Sequence, residues 1–143
     1  MRRLAFAFAL LAAPAAAQVM IDVPTDKTVP EATDALVAAI EGAGAMVVAV
    51  VDHQANAEGA GMELPPIRKV IFGNPQVGTP IMQADPRAAI LLPQMVIVWE
   101  GPDGQVTLSY LNPDAAFADL DVPAEALAPV RGALETLTGA AAN

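Results

Sequence analysis

FGNPQVGTPIMQADPRAAILLP, from Phe72 to Pro93, carries four of the chain's 13 prolines, two glycines, an Asn-Pro step and an Asp-Pro step. Each proline fixes its own φ and biases the residue before it away from the helical region. A segment constrained so densely follows one path, which predicts a built bend and not a floppy loop. Apolar runs flank it: Ile67 to Phe72 (IRKVIF) and Met95 to Glu100 (MVIVWE) both read as strands. Inside it, Thr79-Pro80 reads as a helix cap with a first-turn proline, and Pro86 opens a second short helix through Leu91.

Upstream, Val19 to Val23 reads as a first strand. Thr28 with Glu31 three residues on forms a capping box for a helix to about Ala43, stopped by Gly42 and Gly44. Met46 to Val51 (MVVAVV) is apolar on both faces, which predicts a central strand covered on each side. His53 to Glu63 is a loop or short helix, and Arg68-Lys69 marks an edge or end of the third strand. Downstream, Gly101 to Gly104 is a hairpin turn leading into the alternating strand Gln105 to Tyr110. A last helix spans about 122–138, kinked or split at Pro129, with Ala140 to Asn143 as a frayed tail. The order β-α-β-β-β-β-α predicts an α+β fold of two layers. It has a mainly antiparallel β-sheet of about five strands with helices packed on one face.

Arg2 and Arg3 precede an apolar run from Leu4 to Ala17 that ends in three alanines, the pattern of a secretory signal peptide. The expectation is a signal peptide over 1–17, a single α+β domain over 18–143 with its core at about 19–112, and a periplasmic or secreted location. The whole chain has net charge −9. Without Arg2 and Arg3, five basic residues face 16 acidic ones, a charge of −11. Nucleic acid and anionic membrane are excluded as partners, since phosphate contacts need clustered Lys and Arg. Zero cysteines mean that no disulfide is required. Beyond the leader only Phe72, Trp99, Tyr110 and Phe117 are aromatic, which disfavours a stacking site for sugars or bases.

His53, the single histidine, is the weak catalytic candidate, because imidazole titrates near neutral pH. Asp52 does not orient it, because adjacent strand residues point to opposite faces. One His and no Cys cannot form the usual zinc sets, and His53 with Met62 and Met82 is a thin basis for copper; no metal and no cofactor are expected. Ser109, the only serine, lies mid-strand without a nucleophile elbow. Gly73-Asn74-Pro75 and Gly78-Thr79-Pro80 offer close backbone approach, an amide, and a helix start able to hold an anion.

Asp52-His53, Met62-Glu63-Leu64-Pro65-Pro66, Ile71-Phe72-Gly73-Asn74-Pro75, Gly78-Thr79-Pro80-Ile81-Met82, Asp85-Pro86-Arg87 and Val98-Trp99-Glu100 follow one another as in domain-of-unknown-function family 302, which this chain resembles from about Val19 to Asn112. The resemblance implies a compact α+β domain that associates as a homodimer, and assigns no activity. Members usually carry Asp-Leu-Pro and then a basic residue where this chain has Leu91-Leu92-Pro93-Gln94, so a charge pair is missing here.

The preferred reading is an exported, non-catalytic domain binding a small-molecule ligand or a partner in a cleft formed by His53, Phe72, Asn74, Thr79 and Met82. The alternatives are an acid/base enzyme using His53 and a non-catalytic dimer or assembly module.

Overall fold

The computed structural model describes residues 19–143; the predicted signal peptide falls outside them. The strands are β1 (Met20–Thr25), β2 (Met46–Asp52), β3 (Ile67–Gly73), β4 (Gln94–Glu100) and β5 (Val106–Leu111). The helices are α1 (Val29–Gly42), α2 (His53–Gly59), α3 (Pro75–Ala84), α4 (Pro113–Ala116) and α5 (Ala128–Ala142), with 3-10 turns at Pro86–Leu91 and Ala124–Leu127. The strands form one sheet in the order β1-β5-β4-β3-β2, with every neighbouring pair antiparallel. The expected α+β fold is the observed one.

Period-two alternation sets the sheet's two faces. Val70 and Phe72 of β3, Val96 and Val98 of β4, and Leu108 and Tyr110 of β5 are buried on the face covered by α1 and α5, which pack against each other. Leu36 and Ile40 of α1 and Leu134 and Leu137 of α5 fill that layer. Ile81 is the one buried residue of α3, and it ties the proline-rich segment to this core.

The capping box forms as the sequence predicts. The Thr28 hydroxyl accepts from the Glu31 N–H at 3.4 Å, and Glu31 Oε2 accepts from the Thr28 N–H at 2.9 Å. These bonds hold the Glu31 carboxyl below its usual pKa. Thr28→Ala is expected to cost about 1 kcal/mol, read as a lower urea midpoint with an unchanged slope.

Four details differ from the sequence reading. β2 is an edge strand, not a central one, because the chain turns back through β3 and β4 before reaching β5. β3 is consequently interior, so Arg68-Lys69 marks the starting end of that strand and not an edge; the Arg68 Nε donates to Asp52 Oδ2 at 3.0 Å. Pro129 falls in the first turn of α5, so the split predicted there lies just ahead of it, in the 3-10 turn Ala124–Leu127. The C-terminus is not frayed: α5 runs to Ala142, Ala141 is buried, and the Thr25 hydroxyl donates to the Ala142 carbonyl at 2.7 Å.

Candidate functional site

Where β3 ends at Gly73, Asn74 caps α3: its Oδ1 accepts from the Gln76 N–H at 2.9 Å, and Pro75 occupies the first turn without wasting an N–H. Thr79 and Pro80 therefore lie inside α3 and do not cap it, which removes the helix start expected at Thr79. α3 ends at Asp85, which caps the 3-10 turn that follows.

Asp85 fixes the far end of α3. Its carboxylate accepts from the backbone N–H groups of Arg87 (2.9 Å) and Asp121 (3.1 Å) and from Nε and Nη2 of Arg87 (3.0 and 2.6 Å). The Arg87 guanidinium, with the two backbone donors, holds the Asp85 carboxyl well below the usual carboxylate range. A folded-state pKa below the unfolded value means that this stabilisation is complete above about pH 4 and is lost as pH falls further. Asp85→Asn is expected to start with a lower Tm at pH 7 and to lose less Tm than the parent between about pH 5 and pH 2. Equal acid slopes in parent and variant would contradict the Asp85 contribution.

Between the start of β2, the first turns of α3 and the Leu92–Gln94 turn lies a cleft of about 270 Å³. Met46, Val48, Val77, Met82, Leu92 and Val130 give it an apolar wall; Asn74, Thr79 and Gln94 are its side-chain polar groups, and no charged residue lines it. Gly78 faces it from α3: a Cβ there would lie 3.8 Å from Leu92 Cδ1 and 4.0 Å from Met82 Cε. The Gln94 Nε2 is buried without a hydrogen-bond partner. Such an orphan amide costs about 1–3 kcal/mol.

Of the five residues the sequence singles out, the structure brings Asn74, Thr79 and Met82 together at this cleft. Phe72 lies directly before the cleft wall on β3, but its ring is 3% exposed and belongs to the core. His53 is not at the cleft. It opens α2 beyond the other end of β2: Met46, at the cleft, pairs with Gly73, whereas Asp52 pairs with Arg68 six residues farther along β2. Asp52 is occupied as the cap of α2, accepting from the Ala55 N–H at 3.0 Å, and in the Arg68 pair; these bonds lower its pKa.

The sequence missed Gln94, Leu92 and the β2 residues. The departure from the family pattern at Leu92-Pro93-Gln94 was a usable signal, since it places a neutral amide in the wall. The Met46–Val51 run gives a misleading one, since unbroken apolarity implies burial on both faces where the strand lies at the sheet's edge. Ser109 has a structural use: its hydroxyl accepts from Trp99 Nε1 at 2.8 Å and donates to Asp22 Oδ1 at 2.5 Å. No group of three or more His, Cys, Asp or Glu fit to hold a metal occurs among the described residues.

The model of a family described as domain of unknown function DUF302 matches residues 21–142. A solved structure titled as an uncharacterized conserved DUF302 protein from Bacillus stearothermophilus aligns with a TM-score of 0.80 at 16% identity, over 87% of this chain and 99% of that one; this likeness concerns the fold. Curated relatives named fluoride-specific ion channel FluC 1, from Brucella suis and Brucella abortus, are 36% identical over 94 residues, 66% of this chain. The chain spans only 37% and 35% of the length of those two relatives.

Proposed function

This chain belongs to the DUF302 family, whose description assigns no activity, and from that premise we propose that it is a non-catalytic binding domain. Its cleft takes an uncharged, mainly apolar group that offers a hydrogen-bond acceptor to Gln94. The supporting observation is the coincidence of an apolar, charge-free opening with a buried amide nitrogen that has no partner. An acceptor on the ligand would remove the cost of that orphan, while the apolar wall gains from the water it sheds. At about 270 Å³ the cleft is just below the range of drug-sized pockets, roughly 300–1,000 Å³, and suits a fragment or a single side chain.

The test uses hexan-2-one against hexanoate by isothermal titration. The ketone is expected to bind, and the carboxylate to bind at least tenfold more weakly, because no cation is there to receive it. Gln94→Leu is expected to weaken the ketone and leave hexanoate unchanged. His53→Ala is expected to change neither, because the imidazole lies at the other end of β2. Equal binding of both probes, or dependence on His53, would return the choice to the acid/base enzyme.

Export to the periplasm or beyond belongs to the same proposal and is supported by Arg2, Arg3 and the apolar run after them. So does the homodimer, for which the sheet face opposite α1 and α5 is the suited surface. Ile71, Ile97 and Trp99 stay only partly buried there, and five strands about 4.8 Å apart make it about 24 Å wide. Fluoride conduction is not carried over: nearly two-thirds of the channel-named relatives has no counterpart here, and none of the described helices is long and apolar enough to cross a membrane.

A further inference from the structure

The two edges of the sheet are built differently. β1 carries Asp22 and Pro24, the kind of residues that blunt a free edge against further pairing. β2 carries six uncharged residues, Met46 to Val51, and no proline. Every second side chain is nevertheless open to solvent, with Met46 59%, Val48 56% and Val50 45% exposed, while Val47, Ala49 and Val51 between them are partly buried. Burial does not explain the apolarity of Met46, Val48 and Val50, and in a protein of net charge −9 an uncharged free edge stands out. A strand on the sheet's margin also leaves a row of N–H and C=O groups unpaired. The pairing with β3 is interrupted by a bulge between Val47 and Ala49. Bulges re-aim side chains beside binding sites, and Val48 lines the cleft together with Met46.

From this juxtaposition of free edge and side-chain-sized cleft we infer that the occupant is an extended peptide, which adds to β2 as a sixth strand and places one apolar side chain in the cleft. The inference rests on the cleft reading given above and names its ligand class. Backbone hydrogen bonds would supply affinity, and the cleft would select the side chain. The protein's negative charge favours basic residues on either side of the apolar centre.

A second copy pairing edge to edge fits less well. Seven residues of β2 make a strip about 23 Å long and about 10 Å deep. That area is roughly a third of the ~800 Å² per partner in a standard interface. A peptide reaches the edge and the cleft together, without needing a flat partner surface.

The probe is a fluorescein-labelled peptide amide, Lys-Thr-Val-Leu-Val-Thr-Lys, titrated with the full chain and read by anisotropy. Two further versions carry N-methyl groups on either the odd or the even amides. One methylated version is expected to lose at least tenfold in affinity and the other to bind nearly as well, because only alternate amides point at β2. Leu→Ala in the peptide, and Val50→Lys in the protein, are each expected to weaken binding at least fivefold. Val50 lies outside the cleft, so Val50→Lys is expected to keep its affinity for hexan-2-one. Equal binding of the two methylated versions overturns strand addition. Binding of hexan-2-one without the peptide also overturns it while leaving the cleft in place; binding of neither overturns both readings. A free protein that is dimeric, with its β2 amides slow to exchange, assigns the edge to a second copy and overturns the peptide.

Discussion

Ile81→Ala is expected to destabilise the protein by about 2–5 kcal/mol, out of a total near 5–15 kcal/mol for a domain of this kind. Ile81 is 0% exposed and is the one side chain of α3 in the core. Removing its three outer carbons opens a void where α3, held at Asn74 on one side and Asp85 on the other, cannot slide inward to close it. Ile81→Val, which removes one carbon, is expected to cost about 0.5–1.5 kcal/mol. Urea unfolding read by Trp99 fluorescence measures both. Because α3 is a wall of the cleft, Ile81→Ala is also expected to weaken hexan-2-one binding. A loss below about 1 kcal/mol would mean that α3 is not anchored through this residue.

Gly78→Leu is expected to abolish cleft binding without unfolding the protein. A first carbon on Gly78 meets Leu92 and Met82 at ordinary van der Waals distances, so backbone strain does not arise. Gly78→Ala alone is expected to stabilise the protein by about 0.5–1 kcal/mol, because glycine in a helix interior carries excess unfolded-state entropy. The longer leucine side chain then occupies the space between those two neighbours, where the ligand's apolar group would sit. Hexan-2-one is expected to bind at least tenfold more weakly to Gly78→Leu, with Tm at or above the parent's. Gly139→Ala in α5, where a Cβ meets nothing within 4 Å, is the matched helix control and is expected to leave binding unchanged. Retained affinity in Gly78→Leu would place the ligand elsewhere.

Local chemistry made much of the fold legible in the sequence. The Thr28–Glu31 box, the Gly101–Gly104 turn and the alternation in β5 each state their structure within a few residues. The bend was legible as a bend for the same reason, since prolines act on their own and adjacent residues. Sheet order was not legible: MVVAVV reads alike whether a strand is covered by neighbours or lies apolar at a margin. That one ambiguity hid the β2 side of the cleft. The His53 placement failed for a related reason. Asp52-His53 and Gly73-Asn74 both sit at strand ends, yet the antiparallel pairing of β2 with β3 puts those ends at opposite sides of the sheet. The orphan Gln94 amide exists only once the packing is known, because nothing in Leu92-Pro93-Gln94 states which donors will find partners.

Titration of the ¹⁵N-labelled protein with hexan-2-one, followed amide by amide, tests the cleft most directly. The expected result is shifts confined to Met46, Val48, Gly73 to Gly78, Leu92 and the side-chain NH₂ pair of Gln94, with His53 and α2 unmoved. Shifts centred on His53, or none at saturating ketone, would contradict it.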